Sequence, residues 1–324
     1  MVKKSILTIK SAALNGNPFG DKLEREIIVY IPDNPRNKAP LLVGLPPFGS
    51  NHNNFVLNSA LTESLEDVIV RLHQQDKINS AIVAIPDTFT HLGGNQYLNS
   101  PAVGMWENFI IQEVIPTLKS KFSTAQTALF GKGSGGFGAY TLAMRNPGVV
   151  SGFAAHSPDA GFEFAYIPEF HHVMEEFRRT GGPSKWLDSY WSSYNRTRQD
   201  LVKTLGIICF SAFYSPNPSS PYMGIDFPFD WITGAFNSEV WNKWLSLDPA
   251  RNIRKFSRQL DVMKLIYLDV GLRDEFSLIW GARSMDSFLT ETGIKHVYEE
   301  YEDGHFGTVY RMEKSLSQLA ASLS

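Results

Sequence analysis

The chain has 324 residues, 43% of them hydrophobic, and its 30 Lys and Arg face 33 Asp and Glu for a net charge of −3. That composition supports a core of ordinary size and gives no charge-based reason to expect nucleic acid or an anionic membrane as a partner. A single cysteine, Cys209, excludes an internal disulfide, and its setting Ile207-Ile208-Cys209-Phe210 reads as buried apolar chain rather than as a reactive thiol.

The predicted elements alternate along the chain. Segments 26–31 and 40–45 are β-rich and follow one another without a helix between them, which predicts an antiparallel edge. Helical spacing runs over 59–75 through Leu61, Leu65, Val68 and Leu72, and 81–85 is a short buried-strand run. From Trp106 a helix face recurs at Phe109, Ile110, Val114 and Leu118, with Pro116 expected to disturb it near its last turn. A strand at 127–130, a helix at 135–144 and a strand at 152–156 follow. Much later come a strand at 264–270, a helix with Ile279, Ala282, Met285 and Leu289 on one side, a strand at 296–301 and a last helix from about Val309. This rhythm predicts a mainly parallel sheet covered by helices on both faces, in one domain spanning 1–324.

The interval 160–250 breaks the rhythm. It holds Trp186, Trp191, Trp231, Trp241 and Trp244, five of the seven tryptophans, with five tyrosines and a proline-rich stretch at 216–229. It is expected to be a cap inserted into the sheet's connections. Most of its rings then form the cap's own core, and a minority face a ligand.

The central feature is Leu129-Phe130-Gly131-Lys132-Gly133-Ser134-Gly135-Gly136-Phe137-Gly138-Ala139, a sharp turn between strand and helix. A G-x-S-x-G elbow needs small residues beside its nucleophile, because side chains there would strike the neighbouring strand and helix. The nucleophile itself sits in a strained backbone conformation that exposes its oxygen. Anchoring the flanking glycines at Gly131 and Gly135 puts residue 133 at the nucleophile position, and it is glycine. Glycine takes the conformation without strain but has no oxygen. Ser134 is the weaker candidate: Lys132 would then occupy a position that should be small, and its side chain would start one residue further into the helix.

Asp274 follows a β run and Gly271, and His305 comes after another strand in a loop opened by Gly304. The order nucleophile, acid, histidine is that of α/β-hydrolases. Histidine can accept a proton from the nucleophile and return it to the leaving group, while the carboxylate fixes the imidazole's tautomer. Glu275 and Asp269 compete with Asp274 for that role. An oxyanion hole needs backbone N–H groups. One is expected from Ser134 and the other from Phe48, since Pro46 and Pro47 have none to give.

On these motifs the chain resembles the "Putative esterase" family of α/β-hydrolases, which takes in enterochelin esterases, S-formylglutathione hydrolases, feruloyl esterases and antigen 85 mycolyltransferases. The resemblance covers nearly the whole length. It is carried by Leu41-Leu42-Val43-Gly44-Leu45-Pro46-Pro47-Phe48-Gly49, Gly94-Asn95-Gln96-Tyr97-Leu98-Asn99-Ser100, Trp106-Glu107-Asn108-Phe109, Gly135-Gly136-Phe137-Gly138-Ala139, the run from Tyr267 to Phe276, and Asp303-Gly304-His305. Members usually read Ser-x-Gly-Gly-Tyr/Phe-Gly-Ala at the elbow, which again puts the serine at 133, and His-Gly where this chain has Pro46-Pro47. The resemblance implies a serine-esterase mechanism through an acyl-enzyme on a small-molecule carboxylic ester, with no cofactor or metal. Tyr97, Trp106 and Trp231 are expected to contact substrate. Because Asp274 and His305 remain, Gly133 reads as a serine-to-glycine change introduced into an esterase. The alternatives are a natural ligand-binding homologue that lost the chemistry and an acyltransferase of the same fold.

Two other patterns compete. Gly131-x-Gly133-x-x-Gly136 formally matches a dinucleotide fingerprint, but no acidic residue ends a neighbouring strand about twenty residues on, and Asp274 and His305 would go unexplained. His171, His172, Glu175 and Glu176 have metal-ligand spacing on what reads as a solvated helix face. Asn195-Arg196-Thr197 is a formal glycosylation sequon read as chance. The N-terminus has no apolar run long enough for a signal peptide, so a cytoplasmic location is expected.

Overall fold

The computed structural model describes residues 2–33, 35, 37–57, 63–78, 81–196 and 199–323. Leu61 of the predicted helix and Thr197 of the sequon lie outside them. Among the described residues ten strands are formed: β1 (Val2–Lys10), β2 (Glu24–Pro32), β3 (Leu41–Leu45), β4 (Ile82–Pro86), the two-residue β5 (Asn99–Ser100) and β6 (Gly104–Met105), β7 (Thr127–Lys132), β8 (Gly152–His156), β9 (Leu265–Gly271) and β10 (Val297–Tyr301). Eight of them make one sheet in the order β1-β2-β4-β3-β7-β8-β9-β10. β1 pairs antiparallel with β2, and β2 with β4, whereas every pairing from β4 to β10 is parallel.

The central strands are apolar runs because helices cover both faces. Leu41, Val43, Leu45, Leu129 and Phe153 belong to the core on one side; Leu42, Ala128, Phe130 and Ala154 belong to the core on the other. β1 lies beyond the predicted elements. Its Lys4, Ile6, Thr8 and Lys10 are exposed, so its apolar signal is weak, and it is held by its register on β2. The predicted helix at 59–75 is observed as Leu65–Gln74, started by Ser64, whose Oγ accepts from the Asp67 N–H. Pro116 acts further upstream than expected. Residues Phe109–Val114 widen into a π-helical turn, and the α-helix resumes as Ile115–Phe122 with the proline in its first turn. A proline ring crowds the carbonyl four residues back and offers no N–H, and a wider turn relieves both.

Between β8 and β9 the chain makes a run of helices from Phe162–Ala165 to Ser257–Asp261. Its rings mostly pack on one another: Phe170 meets Phe229, Trp241 and Trp244, and Tyr214 stands edge-on to Trp244. Among the described residues no helix is long and apolar enough to cross a membrane. The loops that follow β3, β7, β8, β9 and β10 all leave the sheet at its carboxyl edge, which is where open parallel sheets bind ligands.

Candidate active site

The turn after β7 is the scaffold of the site. Gly133 has φ 54° and ψ −119°, a combination that strains any residue with a side chain. Its N–H donates to the His156 carbonyl at 3.0 Å and its own carbonyl accepts from Phe137 N–H at 2.8 Å, so the turn is pinned to β8 and to the helix Ser134–Arg145. The flanking glycines are demanded by close approach. A Cβ on Gly131 would lie 2.4 Å from the Gly135 carbonyl carbon, and one on Gly135 would lie 2.0 Å from the Leu45 carbonyl oxygen.

Position 133 faces an imidazole. A Cβ built there would lie 3.3 Å from His305 Nε2. On its far side, His305 Nδ1 donates to Asp274 Oδ2 at 2.8 Å. Asp274 Oδ1 accepts from the N–H groups of Phe276, at 3.0 Å, and Leu278. Burial pushes the Asp274 carboxyl up, but the His305 hydrogen bond and charge, with the two N–H donors, outweigh it and hold the group below the usual carboxylate range. The competing acids have other work. Glu275 accepts from the backbone N–H of His305, which fixes the loop rather than the ring, and Gly304 lets that carboxylate in, since a Cβ there would lie 2.6 Å from it. Asp269 is buried beneath the site, bonded to His156 Nδ1 at 2.8 Å and Arg311 Nε at 3.1 Å.

Phe48, in the loop after β3, and Ser134, at the start of the helix after β7, line a cavity of about 130 Å³ with Gly133 and His305. Its walls are apolar: Phe48, Ala165, Val202, Gly206, Ile207, Phe210, Phe276, Leu278 and Phe306. Five of these nine, Ala165, Val202, Gly206, Ile207 and Phe210, come from the helices between β8 and β9. The Lys203–Glu169 ion pair, at 2.7 Å, contributes to the lining as well.

Three residues expected to contact substrate are elsewhere. Tyr97 and Trp106 are fully buried in the core. Tyr97 donates to the Pro46 carbonyl at 2.6 Å and packs where Gly138 leaves room, while Trp106 stacks edge-on with Phe109 beneath the Arg25 guanidinium. Tyr97 thus braces the loop and helix around the site, and Trp106 packs in the core; aromatic character alone did not separate such roles from substrate contact. Trp231 lines a separate hollow with Tyr222 and Asp230, because residues 216–237 fold back on themselves rather than over residue 133. Ser134, the weaker nucleophile candidate, gives its hydroxyl to Asp159 Oδ2 at 2.9 Å. Cys209 is fully buried and burial pushes its thiol well up, as a core residue should behave. Among the described residues no His, Cys, Asp or Glu grouping could hold a metal, and Glu175 and Glu176 pair with Arg178 and Arg179 on their own helix.

Several polar groups near the site escaped sequence reasoning. Asp159, just past β8, points a carboxylate oxygen at position 133. Gln96 and Tyr214 complete its hydrogen-bond chain. The only hint was an acidic residue beyond the carboxyl end of a buried strand. Lys132 is buried beside the elbow, its Nζ 5.9 Å from the Phe306 ring centre, and burial lowers its pKa to about 8 against the pull of Asp274, Glu275 and Asp269. A second Ser–His–Asp arrangement also exists, with His156 Nε2 2.8 Å from Ser315 Oγ and Nδ1 on Asp269. All three are buried at 1% exposure or less, so this trio fastens the C-terminal helix Met312–Ser322 to the sheet.

Comparison with known proteins agrees with this frame. The model of the family described as "Putative esterase" matches residues 22–316. Among solved structures, a ferulic acid esterase aligns at 17% identity with a TM-score of 0.58, covering 99% of both chains. An S-formylglutathione hydrolase from Agrobacterium tumefaciens aligns at 15% identity and TM-score 0.58, over 99% of this chain and 95% of that one. The S-formylglutathione hydrolase FrmB from Staphylococcus aureus aligns at 11% identity and TM-score 0.57, over 99% of each. At such identities the structural likeness speaks for the α/β-hydrolase fold.

Proposed function

Because the chain belongs to the "Putative esterase" family, a family of carboxylic ester hydrolases, we propose that its site is built to hydrolyse a small-molecule ester by a Ser–His–Asp mechanism, with position 133 as the seat of the nucleophile. One observation carries this reading: His305 Nε2 lies 3.3 Å from where a Cβ at 133 would stand, with Asp274 on the opposite ring nitrogen at 2.8 Å. A serine there would hand its proton to Nε2 as it attacks the carbonyl carbon. Asp274 keeps the imidazole in the acceptor tautomer and stabilises the imidazolium. The backbone N–H groups of Phe48 and Ser134 receive the oxyanion. His305 then returns the proton to the departing alkoxide, and a water repeats the sequence on the acyl-enzyme.

The helices over the sheet act as a cap whose inner face forms the apolar wall. A space of about 130 Å³ compares with the roughly 150 Å³ that accommodates benzene in an engineered cavity, which favours a short branched or single-ring apolar group. Gly133 sits in an elbow whose other parts are whole. That supports a serine-to-glycine change in an otherwise equipped esterase, and the natural gene's codon 133 tests it.

Restoring Gly133→Ser should raise hydrolysis of chromogenic esters by several orders of magnitude, since loss of the nucleophile costs about 10⁶ in turnover in a triad hydrolase. His305→Ala in the serine background should abolish the gain. A serine form no faster than the glycine form, on esters of graded size, would move the ligand-binding reading ahead.

A further inference from the structure

The cavity contains a carboxylate that the triad mechanism does not use. Asp159 follows β8, and its backbone N–H donates to the Gly133 carbonyl at 3.3 Å, which ties it to the elbow. Its two oxygens have different surroundings. Oδ2 accepts from Ser134 Oγ at 2.9 Å and from Gln96 Nε2 at 3.2 Å. Gln96 Nε2 also donates to Ser134 Oγ at 2.7 Å, and Gln96 Oε1 accepts from the Tyr214 hydroxyl at 3.0 Å. Every donor in this chain points the same way, from Tyr214 through Gln96 and Ser134, so Oδ2 is committed as an acceptor. Oδ1 is turned to the cavity, 3.7 Å from where a Cβ on residue 133 would stand. His305 Nε2 faces that same point from 3.3 Å. With glycine at 133, a proton acceptor stands on each side of the room a serine side chain would take, and the cavity that opens there, about 130 Å³, exceeds the roughly 10–15 Å³ that one water needs beside two to four polar partners.

We propose that in this chain Asp159 Oδ1 and His305 Nε2 hold a water at the nucleophile's position, and that this water attacks the ester directly, in one displacement with no acyl-enzyme. One hydrogen of the water is accepted by Asp159, which aims the oxygen lone pair at the carbonyl carbon. The other passes to His305 Nε2 as the new C–O bond forms. The oxyanion rests on the N–H groups of Phe48 and Ser134. On collapse the bond to the alcohol oxygen breaks, and His305 gives its proton to that oxygen, releasing carboxylic acid and alcohol. Asp159 must be ionised for this role. Burial, the largest influence, pushes its carboxyl above the usual range, against the Ser134 and Gln96 hydrogen bonds, the charge of His305 and the neighbouring Tyr166 hydroxyl. The acid limb of the reaction should therefore lie above where an ordinary carboxylate would put it.

This inference rests on the esterase reading of the pocket, and the experiment separates the two. The glycine protein, its Asp159→Asn, Asp159→Ala and His305→Ala variants, and the Gly133→Ser form are assayed on p-nitrophenyl acetate and butyrate, with progress curves, pH profiles and mass spectra of acid-quenched protein. The expected result is slow, linear turnover by the glycine protein, without a burst and without an acyl adduct. His305→Ala should lower it about 100-fold or more, in line with general-base catalysis. Asp159→Ala should cut kcat about tenfold with little change in KM, and Asp159→Asn should remove the raised acid limb. The serine form should show both burst and adduct. If the serine form is active while the glycine protein matches its His305→Ala variant, or if Asp159 substitution leaves rate and pH profile unmoved, or if an adduct forms on the glycine protein, the direct-water route is overturned and the esterase reading stands. If the serine form is inert as well, the esterase reading fails and takes the proposal with it.

Discussion

Gly135→Ala is the sharpest test of the elbow's geometry. The new Cβ would sit 2.0 Å from the Leu45 carbonyl oxygen, 2.9 Å from its carbon and 3.2 Å from the Pro46 carbonyl oxygen. None of these atoms is the end of a movable side chain. All belong to the main chain at the end of β3, which is bonded into the sheet between β4 and β7. Relief therefore requires the elbow and β3 to separate by more than about an ångström, and overpacking that cannot be taken up by rotamers costs about 3 kcal/mol or more. For a chain of 324 residues that is a fall in melting temperature of roughly 4–5 °C. The same movement carries Pro46, Pro47 and Phe48 away from residue 133. In the Gly133→Ser background it should cost about 10² in kcat, the typical effect of misplacing or losing an oxyanion donor. Gly148→Ala is the control: a Cβ there meets nothing within 4 Å, and the expected change is within about 0.5 kcal/mol. The assay is thermal unfolding of the three proteins beside p-nitrophenyl ester turnover in the serine background. Equal melting temperatures for the two alanine variants would refute the argument that close approach, rather than chance, dictates Gly135.

Other outcomes follow from the same structure. Gly206→Val narrows the cavity from the side of the helices between β8 and β9, where a Cβ would make only ordinary contacts with Phe210 and Phe48; in the serine background it should spare acetate esters and reduce kcat/KM for bulkier acyl esters about tenfold or more. Asp269→Ala leaves Arg311 and His156 without their buried carboxylate and should destabilise the protein by about 3–5 kcal/mol in urea titrations, with ligand binding retained under folding conditions. Asp274, with its pKa held down in the folded protein, contributes stability that is present above the usual carboxylate value and is lost as pH falls through the lowered one; Asp274→Asn should flatten that acid-side loss in melts between pH 2 and 5. Asp159 has the opposite sign. Its pKa is raised on folding, so its stabilising contribution is complete below the usual carboxylate value and declines as pH rises through the raised one, and Asp159→Asn should melt higher than the parent at neutral pH.

Much of the fold was legible because local pattern and global arrangement agree. Buried strands such as Leu41–Leu45 and Thr127–Lys132 are unbroken apolar or small-residue runs, since both faces of a parallel sheet are covered. The elbow, Asp274 and His305 could be read for a related reason. A tight turn, a strand end and a loop opened by glycine are each encoded within a few adjacent residues, and their order along the chain is set by topology. β1 was not legible, because its outward face carries its pattern away from simple alternation and its place depends on β2. Nor was the π-helical turn, where sequence gives Pro116 but only packing decides which turn yields.

The sequence by itself determined the α/β class, the strand–turn–helix at 131–138, the absence of an oxygen at 133, and the pairing of an acid and a histidine beyond successive strands, because each is a property of short segments. Tertiary structure alone decided which rings face the cavity. Tyr97 and Trp106 went to the core and Trp231 to a different hollow, while Phe276 and Phe306, unremarkable in sequence, stand against His305. It also decided that Asp159, 26 residues beyond Gly133 in the chain, shares a point in space with His305. An aromatic ring or a buried carboxylate has the same local signature whether it braces a core or lines a site. What distinguishes the two is the direction of one side chain relative to loops from five separate strand ends, and no stretch of contiguous sequence carries that information.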